Sequence, residues 1–234
     1  VLQLLAAAKI KNEIVFEFFS LPPPAFLAAI DRAVANWSCE LSPESHDPAI
    51  RAVQDAATSF TNAQLEEVIA AALRTRCHRL DIFFLIGLPY QTQQSVAETI
   101  QYCEHLFQIS DRRLSCFISP LGPFLDPGSA AFVEPERLGY RLFARTLAEH
   151  RQLLVQPSWQ HILNYETRWM DREQLLAATY DAAEALNRLK LQYGRISRRR
   201  ARSVARRITQ ARTLKAQLDS LPAGCRRQRS RRAA

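Results

Sequence analysis

Glu44 and Ser45 lie in a polar loop between two prolines, Pro43 and Pro48, and they are well suited to bind a small molecule. A carboxylate at the end of a strand can accept hydrogen bonds from two neighbouring hydroxyls, as on a ribose. The alternative is a turn in which Glu44 or Asp47 caps the helix that follows. The residue types in this loop allow both interpretations.

A second loop, Gly87-Leu88-Pro89, follows a nearly continuous apolar run at residues 80–86. Because glycine has no Cβ atom, the backbone at Gly87 can approach a flat ligand such as adenine, and backbone groups can then bind the edge of that ligand. The alternative is a plain turn that ends a strand. This loop is therefore the second candidate binding element.

Several other kinds of site are excluded by the spacing of residues. The sequence has no Gly-x-Gly-x-x-Gly, no phosphate-binding P-loop and no Gly-x-Ser-x-Gly. Its five histidines lack metal-ligand spacing, and each is expected to be structural or at the surface. Its five cysteines are too far apart for a zinc or iron–sulfur loop. We expect no metal ligands in this chain, and reduced thiols in a cytoplasmic protein.

The basic charge is concentrated at the C-terminus. Residues 195–234 hold 14 lysines and arginines and one acid, whereas residues 1–194 hold 17 lysines and arginines and 22 acids. A solvated basic helix is the simplest interpretation, and contact with nucleic acid or an acidic partner is the alternative. No aromatic residue follows Tyr193, which disfavours base stacking. No apolar run approaches the roughly 20 residues that span a membrane.

The order of the predicted elements indicates an α/β fold. Apolar and β-branched segments alternate with helical patterns, which predicts a parallel sheet with right-handed crossovers. Sites in such folds form at the carboxyl ends of the strands, where both candidate loops lie. The predicted strands are residues 12–20, 36–42, 80–86 and 112–119.

The remaining chain is predicted to be helical. Capping boxes at Thr61-x-x-Gln64 and Asp171-x-x-Gln174 begin two of the helices, and residues 136–155 form another. Three parts result: a sheet region at 1–125, a helical region at 126–194 and a basic tail at 195–234. The tail is expected to be helical and then disordered after Pro222.

The motifs in order resemble the later half of a radical SAM core. They are Cys39-Glu40-Leu41-Ser42-Pro43-Glu44-Ser45, then Asp81 to Thr92 with Gly87-Leu88-Pro89, and then Ser119-Pro120-Leu121-Gly122-Pro123. The last string, with Pro157-Ser158-Trp159 and Leu163-Asn164-Tyr165-Glu166-Thr167, is similar to radical SAM proteins that contain a cobalamin-binding domain. The resemblance covers roughly residues 10–194.

This resemblance implies a partial TIM-like barrel, strands three to six, followed by C-terminal helices. It implies that Glu44 and Ser45 contact the ribose of S-adenosylmethionine and that Gly87, Leu88 and Pro89 lie by its adenine. In the family a 4Fe–4S cluster cleaves that cofactor to a 5′-deoxyadenosyl radical, and some members use cobalamin. Candidates for the substrate side are Ser119, Tyr165 and Glu166.

The departures from the family pattern are also specific. The Cys-x3-Cys-x2-Cys loop and the segment that holds the methionine end are absent, and Gln91 stands where many relatives have Glu. We therefore expect a C-terminal portion that is inactive alone and needs a missing N-terminal half or a partner chain. Strands taken from the middle of a barrel leave open edges, so self-association is also expected.

Overall fold

A computed structural model describes residues 1–54 and 59–220. Its helices and strands, in chain order, are α1 (Leu2–Ala8), β1 (Ile14–Phe18), α2 (Pro24–Ala33), β2 (Trp37–Glu44), α3 (Pro48–Gln54), α4 (Asn62–Leu73), β3 (Leu80–Ile86), α5 (Gln93–Ile109), β4 (Leu114–Pro120), α6 (Ala130–Val133), β5 (Tyr140–Leu142), α7 (Leu147–Leu154), α8 (Trp159–Ile162), β6 (Tyr165–Thr167), α9 (Arg172–Gln192) and α10 (Arg198–Asp219).

The first four strands form one parallel sheet in the order β1-β2-β3-β4. Ile14 pairs with Trp37 across β1 and β2, and Cys39 pairs with Leu80 across β2 and β3. Strands that are neighbours in sequence are thus neighbours in space, as in part of a barrel. The predicted α/β fold with four parallel strands and C-terminal helices is confirmed.

The apolar composition of β3 explains its central position in the sheet. Leu80, Ile82, Phe84 and Ile86 alternate along the strand and are each at most 1% exposed. Their side chains lie on one face of the sheet. The capping box predicted at Thr61 begins α4, because the Thr61 hydroxyl accepts from the Gln64 amide while the Gln64 side chain accepts from the Thr61 amide.

The chain divides into two compact units. Unit 1 comprises Val1–Phe84, Glu98–Ile118 and Arg188–Ser197, and unit 2 comprises Leu85–Ala97, Ser119–Asn187 and the chain from Arg198 onward. Unit 1 contains β1, β2 and most of β3 and β4. Unit 2 contains β5, β6 and most of the later helices.

The helix predicted at residues 136–155 is wrong in its first half. Tyr140–Leu142 is strand β5, which pairs antiparallel with β6. Gly139 has a φ of +77°, a backbone conformation that ends regular helix, and Thr146 begins α7 with its own capping box. The short strand β5 therefore lies within the range predicted as one helix.

Arg198–Asp219 of the basic tail form helix α10. Within α10, Ala201 and Leu218 are buried, whereas Leu214 is 54% exposed. The disorder predicted after Pro222 lies outside the described residues. No helix in the described part of the chain has both the length and the apolar character that a membrane span requires.

Candidate functional site

The Glu44–Ser45 turn ends strand β2. Glu44 pairs with Phe84 of β3 after an irregularity in register that follows Leu41. Its φ is +64°, in the left-handed region that a glutamate seldom adopts. The Ser45 amide donates to the Pro43 carbonyl at 2.7 Å, which tightens the turn. The Glu44 side chain is half-buried and Ser45 is fully buried.

A buried arginine on α3 holds this turn in place. Arg51 is 0% exposed, and its Nη1 atom donates to the Ser45 carbonyl at 2.7 Å and to Asn62 Oδ1 at 3.1 Å. Its Nη2 atom donates to the Phe60 carbonyl, and the guanidinium lies 4.6 Å from the centre of the Phe60 ring. Burial lowers the pKa of Arg51. No sequence pattern predicts this role, because residues 49–60 are weakly patterned.

The helix-capping role in this loop belongs to Asp47. Its Oδ1 atom accepts from the Ala49 amide at 2.8 Å, at the start of α3. The Ser45 hydroxyl accepts from the Asp47 amide at 3.1 Å. Asp47, one of the two residues predicted as a cap, thus makes a capping bond.

His46 is expected to make the stability of unit 1 depend on pH. Its Nδ1 atom lies 2.8 Å from Thr99 Oγ1, and its Nε2 atom lies 3.8 Å from Glu98 Oε2. Burial lowers the pKa of His46 from 6.5, and this outweighs the nearby carboxylates of Asp47 and Glu98, which raise it. The fold therefore favours the neutral ring, and the unfolded chain binds more protons as the pH falls below 6.5.

We expect the melting temperature to fall between about pH 7.5 and about pH 5.5, and to fall less in His46→Gln. His78 is exposed and provides the matched control. The His78→Gln variant should keep the wild-type pH dependence in the same thermal melts. An equal loss of stability in wild type and His46→Gln would contradict the assignment to His46.

The Gly87 loop is held by a side chain of its own. Gln91 is fully buried, and its Oε1 atom accepts from the amides of Gly87 at 2.7 Å and Leu88 at 3.2 Å. Its Nε2 atom donates to the Leu85 carbonyl at 2.9 Å. Tyr90, with a φ of +64°, completes the turn. A glutamate at position 91 would lack the donor that reaches Leu85.

Two tyrosines pack against Gly87. The Tyr140 hydroxyl donates to the Gly87 carbonyl at 2.9 Å. A Cβ atom at Gly87, where φ is +100°, would lie 3.0 Å from the Tyr165 hydroxyl and 3.2 Å from its ring. Tyr165 is fully buried, and burial raises the pKa of its hydroxyl. The structure thus brings two predicted site residues, Gly87 and Tyr165, into contact.

Asn164 connects two of the sequence segments on which the resemblance to radical SAM proteins rests. Its Oδ1 atom accepts from the Leu125 amide at 3.0 Å, and its backbone amide donates to the Pro123 carbonyl at 2.8 Å. Its Nδ2 atom lies 2.9 Å from Nε2 of His150, which is also buried. The string at 119–129 and the string at 163–167 therefore meet through one buried side chain.

The other predicted substrate-side residues lie apart from this packing. Glu166 pairs with Arg141 at 3.1 Å, beside a shallow cavity of about 230 Å³ that also contacts Gly139 and Arg168. Ser119 is exposed near the end of β4. Glu44 and Ser45 belong to unit 1, and the other predicted site residues belong to unit 2.

The described cysteines do not fit an iron–sulfur cluster. Cys39, Cys77, Cys103 and Cys116 are buried as free thiols. Burial raises the pKa of Cys77 to about 11 and raises that of Cys39 further, so both thiols stay protonated near neutral pH. Within residues 1–54 and 59–220, no three His, Cys, Asp or Glu side chains are placed to hold a metal. Cys225 lies outside the described residues.

Comparisons with known proteins give a distant structural likeness. No protein-family model matches the sequence, and no curated protein matches it. Among solved structures, the chain is similar to coproporphyrinogen III oxidase (HemN) from Escherichia coli, which is described as a radical SAM enzyme. The two are 14% identical with a TM-score of 0.38, over 67% of this chain and 41% of that chain. The chain thus spans less than half the length of HemN, and it is an α/β protein with distant structural similarity to that enzyme.

Proposed function

We propose that this chain is a C-terminal portion of a radical S-adenosylmethionine enzyme and contributes to binding the nucleoside of that cofactor. The observation that carries the proposal is that both candidate loops follow neighbouring, parallel strands at their carboxyl ends. Ligands of parallel α/β folds bind at such ends.

Backbone conformation at the two loops supports the proposal. Among the described residues, the non-glycine residues with positive φ are Lys9, Glu44 and Tyr90, and the last two lie in these loops. Left-handed conformations in residues other than glycine cost about 1–3 kcal/mol and cluster at functional sites. The ribose hydroxyls are assigned to the half-buried Glu44 carboxylate, while Asp47 accepts from the Ala49 amide at the start of α3.

The loop around Gly87 has a packing role in this proposal. The Gly87 amide and carbonyl are bonded to Gln91 and Tyr140, and the Leu88 amide and carbonyl are bonded to Gln91. These groups are engaged inside the loop and Pro89 is buried, so the loop would act on an adenine ring through its shape rather than through free hydrogen-bonding atoms. The loop therefore supplies a fixed shape.

The reductive step belongs to groups outside the described residues. A 4Fe–4S cluster supplies the electron in radical SAM enzymes, and these residues hold no set of ligands for one. We propose that an N-terminal half or a partner chain supplies the cluster, that the isolated chain is inactive and self-associates, and that cobalamin is an additional cofactor of the whole enzyme. Ser119, Tyr165 and Glu166 remain the proposed substrate-side residues.

Replacing Glu44 with alanine is the direct test of the ribose contact. We expect the affinity of the chain for S-adenosylmethionine to fall by about 5- to 150-fold, since a charge-assisted hydrogen bond contributes about 1–3 kcal/mol. Isothermal titration calorimetry measures both affinities. The exposed Glu67 on α4 gives a matched control, Glu67→Ala, that should bind like wild type. Unchanged affinity in Glu44→Ala, with a lowered melting temperature, would show that Glu44 is structural.

A further inference from the structure

Helix α10 carries an arginine row that the proposed function does not use. Arg199, Arg202 and Arg206 follow one another at spacings of three and four residues, so they lie on one face of the helix. All three side chains are exposed. The opposite face packs inward, because Ala201 and Leu218 are buried.

The helix face that carries the row bears no carboxylate along its length. The same spacing leads from Arg206 to Gln210, Thr213 and Gln217, all exposed. Arg198 and Arg207 flank the row on its two sides, and both are exposed. From residue 199 to residue 217 the row is about 27 Å long.

The acids nearby on α9 do not neutralise this row. Asp181 and Glu184 of α9 pair with Arg212, and Glu173 pairs with Lys215. Those two basic residues belong to the C-terminal half of α10. In the described part of the chain, Arg198, Arg199, Arg202, Arg206 and Arg207 form no ion pair.

The arrangement is unfavourable for the isolated helix. The first turn of α10 holds arginines and no acid, although the partial positive charge of a helix N-terminus disfavours cations there. Like charges three and four residues apart cost a further few tenths of a kcal/mol each. A bound polyanion would remove both costs, and guanidinium groups bind phosphates through two parallel hydrogen bonds.

We propose that the exposed face of α10 binds double-stranded DNA in the major groove. An α-helix is about 10–12 Å across and that groove is about 12 Å wide, whereas the major groove of duplex RNA is too narrow for side chains to read. Arg198 and Arg207 flank the row and can reach the phosphates on the two sides of the groove. Single strands are disfavoured because no aromatic residue follows Tyr193.

Fluorescence anisotropy with a labelled 20-base-pair DNA duplex, over a series of salt concentrations, tests the proposal. We expect the full chain to bind, with an affinity that falls steeply as salt rises. The variant Arg199→Gln/Arg202→Gln/Arg206→Gln should lose about tenfold or more in affinity, and its log–log salt slope should shrink by roughly 2–3. The matched variant with lysine at the same three positions keeps the charge and should retain most of the binding.

Other outcomes would overturn the proposal. Equal binding by wild type and the glutamine variant, with circular dichroism showing α10 intact in both, would show that the three arginines do not contact the DNA. Tighter binding of an RNA duplex or of single-stranded DNA than of the DNA duplex would exclude the major-groove mode. None of these results depends on S-adenosylmethionine, so they are independent of the Glu44 experiment.

Discussion

Replacing Gly87 with alanine is expected to lower the free energy of unfolding by about 2–5 kcal/mol. The alanine would have to adopt a φ of +100°, and its Cβ atom would meet the Tyr165 hydroxyl at 3.0 Å and the Leu175 side chain at 3.4 Å. A left-handed L-residue costs about 1–2 kcal/mol, and overpacking a buried site costs about 1–3 kcal/mol more. Tyr165 has little room to move, since it is fully buried.

Urea denaturation of wild type and Gly87→Ala measures this loss. Gly128 is a matched control, because its φ is +91° but a Cβ atom there would have no neighbour within 4 Å. Gly128→Ala should therefore show only the cost of the backbone conformation, about 1–2 kcal/mol. Equal losses in the two variants would mean that Tyr165 does not constrain Gly87.

Replacing Arg51 with methionine is expected to destabilise the chain by about 3–5 kcal/mol. Methionine fills much of the volume but leaves the Ser45 carbonyl and Asn62 Oδ1 without the donors that Arg51 provides at 2.7 Å and 3.1 Å. Removing one partner of a buried, charge-assisted set of bonds costs this much because the polar groups left behind are desolvated. The Glu44–Ser45 turn would also lose its support.

The same urea experiment, with Arg74→Met as control, tests the role of Arg51. Arg74 is exposed and its side chain makes no bond within the described residues, so its loss should change stability by less than about 0.5 kcal/mol. If Arg51→Met were as stable as Arg74→Met, the turn would be held by the β2–β3 pairing instead.

The sheet could be predicted because its signals are local. Residues 80–86 are apolar except for Asp81 and form β3 with the predicted bounds. The Thr61 and Asp171 boxes each involve residues three apart, and both bond as expected. Such signals need no knowledge of the distant chain.

The supports of the two loops could not be predicted, because they depend on contacts between distant residues. Tyr140 reaches the Gly87 carbonyl from 53 residues away. Arg51 lies in a stretch with weak periodicity, and its function follows from burial beside Phe60. Strand β5 has three residues and exists through its pairing with β6, so composition alone favoured a helix there.

The Gln91 side chain gives the Gly87 loop its shape before any ligand arrives. Its amide holds the backbone on both sides of Ile86, the last residue of β3, since it bonds the Leu85 carbonyl and the Gly87 and Leu88 amides. Because the loop backbone is already ordered, the binding of a ligand to this loop costs little free energy of backbone ordering. Hydrogen exchange at Gly87 and Leu88 would be slow in the free chain, and ligand binding would change it little.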